Sequence, residues 1–344
     1  MARPVTLSDV AQEAGVSLAT ASRALNGSAT RTVGPELARR VRAAAEKLRY
    51  APDGVAQAMA RGRTSAIGLV VPDVSDPLLG AITSGVSAAA DQAGLSVTLA
   101  STREVPGREA SVIEALARQR VRAMVMVGGA TGRVDADLAA MHAIESYLVA
   151  GGSVALIGSM MPGTSGVDVA DRRTALRLGM EMHALGYRRY VVLGGPDRPG
   201  RGAERVAGFS EAVTMLGGEV LAAQHLPEVS REAGQTAMAE LIDSGLLTGA
   251  PGRPLVFAVT DQLAFGALAA LRAAGLSVPD DVALAGFDDL PGAVDVTPSL
   301  TSVRLPLYEA GTEAVTLALA GEAGRTVVLD GEVVLRESTP PVTG

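Results

Sequence analysis

The first fifty residues carry apolar positions at helical spacing, interrupted by cap and stop signals. Thr6 with Asp9 three residues later is a capping pair, and the apolar run that follows ends at Gly15. Ser17 is a second cap signal, and the run that it opens closes at Asn26 before a glycine. Because the link between the two runs is so short, the pattern predicts a helix-turn-helix.

A third helical run begins near Pro35 and completes a small core. Its predicted inner face carries Leu37, Val41, Ala44, Ala45 and Leu48. Its predicted outer face carries Arg39, Arg40, Arg42, Lys47 and Arg49. On the pattern alone, a solvated basic helix in a small helical hairpin is the alternative interpretation.

From Ser65 onward, short apolar runs alternate with helical stretches that start near Leu78, Arg108 and Val134. The predicted strands are mostly apolar and cover residues 66–71, 95–99, 124–127, 154–157, 167–169, 190–193, 255–259 and 282–287. Strands of this kind with helices between them indicate parallel sheets covered on both faces. The alternation restarts at Val167, so the sequence predicts two doubly wound subdomains, with a ligand cleft at the carboxyl ends of their strands.

The predicted fold class is therefore α/β, with an N-terminal three-helix helix-turn-helix headpiece plus two doubly wound parallel-sheet subdomains. We expect the headpiece at residues 1–50, a hinge helix or linker at 51–63 and the core at 64–344.

Charge is distributed unevenly along this chain. The net charge is −7, but residues 1–63 hold ten basic against five acidic side chains, and the remainder holds 20 against 32. The amino-terminal segment is thus positive by five charges, as a nucleic-acid-binding segment would be, although the whole-chain sum hides it. The chain has no cysteine, which excludes disulfides and thiolate metal sites. It also has no apolar run typical of a signal peptide or a membrane span, so we expect a cytoplasmic protein without a membrane partner.

Two sequence stretches carry a specific resemblance. TLSDVAQEAGVSLATASRALNG, from Thr6, resembles the headpiece of the LacI/GalR family of repressors, and KLRYAPDGVAQAMARG, from Lys47, resembles that family's hinge. The resemblance implies a sequence-specific regulator that binds a palindromic double-stranded DNA operator as a homodimer.

By this resemblance, the helix from Ser17 to Leu25 enters the major groove. Leu18 and Ala19 match the base-reading positions, where their apolar side chains contact a thymine methyl or tolerate the base pair, and Arg23 suits a guanine edge. The remaining expected DNA contacts are polar and hold phosphates, with local helix capping as the alternative: Thr6, Ser17, Thr20, Ser22 and Asn26.

In the hinge, Met59 matches the apolar residue that wedges into the minor groove at the operator centre, and Gln57 lies beside it. The alternative for Met59 is a linker residue that packs on the core.

The resemblance extends over the core, through stretches such as ERVAGF and VALAGFDD, and implies a periplasmic-binding-protein-like fold. We expect one subdomain from about 64–164 and 294–323, and the other from about 165–293 and 324–344. Arg205 and Asp288 match the family's effector-binding arginine and carboxylate, and an ordinary Arg–Asp pair is the alternative.

We also expect Asp76 and Leu78 to line the amino-terminal wall of the pocket. Four further lining positions depart from the amides or acids that are common in the family: Val127, Ser159, Thr260 and Leu305. Because buried sugar hydroxyls need polar partners, this lining predicts an effector less hydroxylated than a typical sugar, or a weakly responsive regulator.

Two other classes of protein share such a core. A Rossmann-like enzyme would need a G-x-G-x-x-G after its first strand, which the chain lacks, and its three histidines show neither metal spacing nor a nucleophile partner. An exported solute-binding protein would need a signal peptide where this chain has the headpiece. The sequence therefore predicts no enzyme activity, no cofactor and no metal site.

Overall fold

The computed structural model describes residues 5–26, 33–50, 63–103, 105, 107–129, 132–158, 160–247 and 252–342. The chain forms two compact units, Met1–Thr64 and Ser65–Gly344. Gln57, Met59 and Ser159, three of the predicted site residues, lie outside the described residues.

The first unit contains three helices in its described part, α1 (Leu7–Ala14), α2 (Leu18–Asn26) and α3 (Pro35–Lys47). At the start of α1, the Asp9 amide donates to Thr6 Oγ1, and the Thr6 amide donates to Asp9 Oδ2 at 2.8 Å. Gly15 ends the helix with a φ of +62°, in the left-handed region that glycine adopts without a Cβ clash. The predicted capping pair and stop are both confirmed.

The apolar faces of the three helices meet in one small core, which includes Val10, Ala21 and Val41. The five basic side chains predicted on the outer face of α3 are exposed. Arg40 also reaches back to α1, where its Nη2 donates to the Ala14 carbonyl at 2.5 Å. That bond satisfies one of the carbonyls left without a partner at the end of a helix, and it ties α3 to the turn after α1.

The second unit alternates strands and helices. Its helices are α4 (Leu79–Gln92), α5 (Arg108–Arg118), α6 (Val134–Val149), α7 (Asp171–Ala184), α8 (Arg201–Met215), α9 (Arg231–Asp243), α10 (Asp261–Ala273), α11 (Gly292–Asp295) and α12 (Leu307–Ala320). Its strands are β1 (Ala66–Val71), β2 (Ser96–Ser101), β3 (Ala123–Val127), β4 (Val154–Ile157), β5 (Ser165–Asp168), β6 (Arg189–Gly194), β7 (Glu219–His225), β8 (Leu255–Ala258), β9 (Ala283–Ala285), β10 (Ser302–Arg304), β11 (Thr326–Val328) and β12 (Glu332–Val334).

Two parallel sheets define the two subdomains. The first has the strand order β11-β5-β4-β3-β1-β2, and the second has the order β7-β6-β8-β9. A short antiparallel pair, β10 with β12, is separate from both. The predicted doubly wound α/β architecture is confirmed.

The predicted subdomain boundary needs a correction. The sequence placed the strand near Val167 and everything after residue 324 in the second subdomain, but β5 pairs with β4 and β11 pairs with β5 in the first sheet. The chain therefore crosses from the first subdomain after β5, and returns to the second only after β11. Strand pairing between distant segments decided this, and an apolar run does not reveal which sheet it joins.

Three crossover segments join the subdomains. The first, residues 169–170, leads from β5 into α7, which packs against α8. The second contains β10 and leads into α12, which packs against α4 of the first subdomain. The third contains β12 and leads from β11 to the carboxyl-terminal segment, where the Val342 amide donates to the Leu185 carbonyl.

Candidate functional site: a DNA-reading helix and an effector cleft

Helix α2 presents an apolar start. Leu18 is 50% exposed, and Ala19 beside it is exposed as well, whereas Ala21 is completely buried in the helical core. Arg23 follows at intermediate exposure, in the last turn of the helix. The two predicted base-reading side chains therefore lie on the exposed face of α2, where they are accessible to a partner.

The predicted phosphate contacts are engaged locally. The Ser17 side chain accepts from the Thr20 amide at 3.1 Å, and the two hydroxyls lie 2.8 Å apart. The Thr6 hydroxyl donates to Asp9 Oδ2 at 2.7 Å. Ser22 is half-buried, and Asn26 ends α2. For Thr6, Ser17 and Thr20, helix capping is thus a role that the structure displays.

A cavity of about 760 Å³ lies between the subdomains, at the carboxyl ends of β1 and β3 and beside the loop that leads into α8. Its apolar lining includes Val70, Val71, Met126, Val127 and Val229. Its charged lining comprises Glu109, Arg133, Asp197, Arg198 and Arg201. This is the position at which doubly wound folds bind ligands. We call it the effector cleft.

Arg205 is buried and does not line the effector cleft; it lies one turn along α8 from the lining residue Arg201, and we call Arg205 and its partner Asp288 the cleft floor. Its side chain is 3% exposed; Nε donates to Asp171 Oδ1 at 2.7 Å, and Nη1 donates to the Val259 carbonyl at 2.7 Å. Nη1 also lies 2.9 Å from Asp288 Oδ1, and the guanidinium stacks 4.1 Å from the centre of the Phe287 ring. Arg205 and Asp288 therefore do meet, as the sequence predicted, but they form a buried ion pair.

Arg201, one turn before Arg205 on α8, lines the effector cleft and belongs to the same network of ion pairs as Arg205. Its side chain is 31% exposed, and its Nε donates to Asp171 Oδ2 at 2.7 Å. Asp171 thus holds both arginines: Arg201 donates to both carboxylate oxygens, and Arg205 donates to Oδ1. The sequence reasoning missed Arg201 and Asp171; the spacing of four residues between the two arginines, which puts them on one helix face, was the signal that could have found Arg201.

Two carboxyl groups near this network have raised pKa values. Burial raises the pKa of Asp288 to about 6, against the opposing effect of Arg205 and Arg201. Burial also raises the pKa of Asp261 to about 7, and the nearby Asp288 charge raises it further. Asp261 Oδ1 accepts from Ser302 Oγ at 2.6 Å, and its Oδ2 accepts from the Leu290 amide at 2.7 Å.

The remaining predicted effector residues are placed differently from one another. Val127 lines the effector cleft. Thr260 caps α10 by accepting from the Leu263 amide, and Leu305 is 7% exposed within the main apolar core. Asp76 is exposed and accepts from the amide of Leu78, which packs against that core. The structure thus brings together Val127, Arg205 and Asp288 around the cleft and its floor, while Thr260 and Leu305 serve local structure.

Within the described ranges, no group of three or more histidine, aspartate or glutamate side chains is arranged to hold a metal ion. A helix of the length and apolarity needed to cross a membrane is likewise absent from those ranges.

Comparison with known proteins places both units in one family. Residues 6–53 match the model of bacterial regulatory proteins of the lacI family, and residues 180–339 match a periplasmic binding protein-like domain. The HTH-type transcriptional regulator GalS of Salmonella typhimurium is 34% identical over 93% of this chain and 91% of its own length.

Two solved structures share the fold over 98% of this chain and 100% of their own chains. A lac repressor dimer bound to operator and an anti-inducer has a TM-score of 0.83 at 23% identity, and a complex of the transcriptional regulator CelR with cellobiose has a TM-score of 0.69 at 28% identity. The helix-turn-helix unit, the doubly wound core and the full-length similarity to GalS together show that this chain belongs to the LacI family of DNA-binding transcriptional regulators and is not an enzyme.

Proposed function

We propose that this protein represses transcription from a near-palindromic operator, which it binds as a homodimer in the cytoplasm, and that a small molecule in the effector cleft changes its operator affinity. The observation that carries the proposal is the pairing of a helix-turn-helix unit with an exposed reading helix and a core with a large cleft between two subdomains. The lac repressor relative, solved as an operator-bound dimer, supports the assembly. Sedimentation of the purified protein at micromolar concentration tests it, and a monomer bound to operator would contradict it.

On the DNA side, Leu18 and Ala19 contact base edges through apolar surface, and Arg23 contacts a guanine. The operator is obtained by selecting binding sequences from a random DNA pool with the protein itself. We expect Arg23→Ala to lose about 5- to 150-fold in affinity and to relax specificity at one base pair of each half-site.

Arg118→Ala provides the matched control, since Arg118 is an exposed arginine of the core, and its ion pair among the described residues is with Glu114 on its own helix. Footprinting at fixed moderate salt distinguishes the two variants, because affinity for DNA depends steeply on salt. Equal footprints for Arg23→Ala and the parent protein would remove Arg23 from the reading set.

On the effector side, we propose that Arg201 presents the arginine contact, because it lines the cleft at 31% exposure, whereas Arg205 is buried and its Nε and Nη1 are engaged by Asp171, the Val259 carbonyl and Asp288. The guanidinium of Arg201 suits a hydroxyl, carboxylate or phosphate oxygen, while Val71, Val127 and Val229 suit an apolar part of the same molecule. A sugar remains one candidate, since the CelR relative is solved with cellobiose. The apolar lining favours a less hydroxylated one.

A thermal-shift panel that contains cellobiose, ribose and less hydroxylated sugar derivatives tests this assignment. Ligands that stabilise the parent protein are expected to bind at least tenfold more weakly to Arg201→Ala. Unchanged binding to this variant would exclude Arg201 as the effector contact. If none of the ligands that stabilise the protein changed its affinity for the operator, that result would count against effector control itself.

A further inference from the structure

A chain of polar contacts runs from the floor of the effector cleft to all three crossover segments. Asp171, at the end of the first crossover, holds Arg205, and Arg205 lies 2.9 Å from Asp288. The next residue, Asp289, binds Arg304 on the second crossover and Arg336 immediately after the third.

Asp289 is held between two arginines. Its Oδ2 accepts from Arg304 Nε at 2.8 Å, and its Oδ1 accepts from Arg336 Nη2 at 2.5 Å. The carboxylate is 7% exposed, and Arg336 is 11% exposed and also donates from Nη1 to the Leu300 carbonyl. Because Asp289 and Arg336 are both largely shielded from water, the bond between them is less screened than a surface ion pair, whereas the bond to the exposed Arg304 is open to solvent on one side.

The backbone between the two aspartates is fixed. Asp288 has a φ of +112°, a conformation that a residue with a side chain adopts only when its surroundings enforce it, and Asp289 has a φ of +51°, in the left-handed region that aspartate tolerates. The Asp288 amide donates to the Val303 carbonyl at 2.9 Å, and the Asp289 amide donates to Ser302 Oγ at 3.0 Å. A shift of Asp288 at the cleft floor therefore moves Asp289 and the second crossover with it.

We propose that Asp289 is a positioning residue that couples the effector cleft to the crossover strands, through its ion pairs with Arg304 and Arg336. This role rests on the proposed function, in which a change in the cleft alters the affinity for the operator. The ion pairs of Asp289 would carry that change from the cleft to the crossover segments. When the cleft floor moves, Asp288 moves with it, and the adjoining Asp289 displaces Arg304 and Arg336 in the segments about which the subdomains rotate.

The test locks the two subdomains together at the cleft mouth, in the arrangement that the structure shows, and does not need the effector. A β-carbon built on Gly132 would lie 3.6 Å from Cδ of Pro199, so these two residues, one from each subdomain, face each other at the cleft mouth. The chain has no cysteine, so Gly132→Cys with Pro199→Cys provides the only two thiols for dibromobimane, a short cross-linker. A monofunctional maleimide modifies the same thiols without joining them, so the protein treated with it serves as the reference without a cross-link.

The readout is the ratio of operator affinities of the cross-linked and the singly modified full-length protein, on the operator that the protein selects. We expect at least a fivefold ratio in the parent double-cysteine protein, and less than twofold after Asp289→Asn is added. Asparagine keeps the size of the side chain and tolerates the left-handed backbone, so the substitution removes the charge and little else. A merely structural loss would weaken both states alike and leave the ratio unchanged.

Arg304→Gln is the second variant, because Arg304 is 56% exposed and its loss threatens folding less. We expect a reduced ratio there too, whereas the control Arg118→Gln, which breaks an exposed pair within one helix, keeps the parent ratio. Parent-like ratios in Asp289→Asn and Arg304→Gln would overturn the inference while leaving the proposed function intact. A ratio of one in the parent would instead refute cleft control of operator binding, and the coupling role with it.

Discussion

Replacing Arg205 with alanine tests whether the arginine beneath the cleft is a structural element of the core. The change removes the cation that lies between Asp171 and Asp288, together with the hydrogen bond to the Val259 carbonyl and the stacking on Phe287. Two carboxylates are then left buried without their shared partner.

Removing one partner of a buried ion pair costs about 3–5 kcal/mol, because the remaining charge keeps its desolvation penalty. For a unit of this size, the loss corresponds to a decrease in melting temperature of roughly 6–20 °C. The Arg205 charge also lowers the pKa of Asp288, which stands at about 6 with the arginine present. Without it, that pKa rises, so protonation relieves part of the penalty and the destabilisation is smaller at pH 5 than at pH 8.

The assay is thermal unfolding followed by far-ultraviolet circular dichroism, since the chain has no tryptophan. Arg172→Ala is the matched control: Arg172 is 55% exposed and pairs with Glu204 and Glu211 at the surface, so its loss costs below about 1 kcal/mol. If Arg205→Ala melted as the control does at both pH values, the buried network would not stabilise the core. If the expected loss is found, a missing effector response in Arg205→Ala is no evidence of ligand contact, and Arg201→Ala is the diagnostic variant.

Three further predictions concern other parts of the molecule. Burial raises the pKa of Asp261 to about 7, so ionisation of this carboxyl opposes folding increasingly as the pH rises from about 4 to 7. In urea unfolding, the free energy of unfolding of Asp261→Asn should therefore rise relative to that of the parent protein over this pH range. A difference between the two proteins that does not change with pH would refute the assignment. An alanine at Gly266 would place its β-carbon 1.9 Å from the Arg231 carbonyl oxygen, so α9 and α10 must move apart and the free energy of unfolding falls by about 1–3 kcal/mol. Gly80→Ala, in open space on α4, should instead raise it by up to about 1 kcal/mol. A lower melting temperature for Gly80→Ala than for Gly266→Ala would contradict this packing. Thr6→Ala removes the capping box of α1 and should cost about 1 kcal/mol of local stability, seen as faster amide exchange in α1, and unchanged exchange rates would show that the cap is dispensable.

The sequence determined the features that depend on neighbouring residues. The capping pair at Thr6, the stop at Gly15 and most of the apolar spacing of the three helices are local, and the structure has them where the pattern placed them. Leu37, predicted on the inner face of α3, is instead 38% exposed. The apolar runs of the large unit also predicted parallel strands, because only a strand covered on both faces is apolar throughout. The positive charge of the amino-terminal segment, together with the resemblance of the headpiece sequence to the family, indicated a DNA-binding regulator.

The tertiary structure decided what depends on contacts between distant segments. β5 joins the first sheet because its partners are β4 and β11, and the latter lies about 160 residues further along the chain. Arg205 is buried because Asp171 and Asp288, on two other elements, close around it. Arg201 therefore takes the position at the cleft surface that the sequence had assigned to Arg205. The family resemblance indicated that Arg205 and Asp288 belong to one site, but the depth at which they meet is set by the packing of whole elements. That depth determines whether a charge faces a ligand or holds the core together.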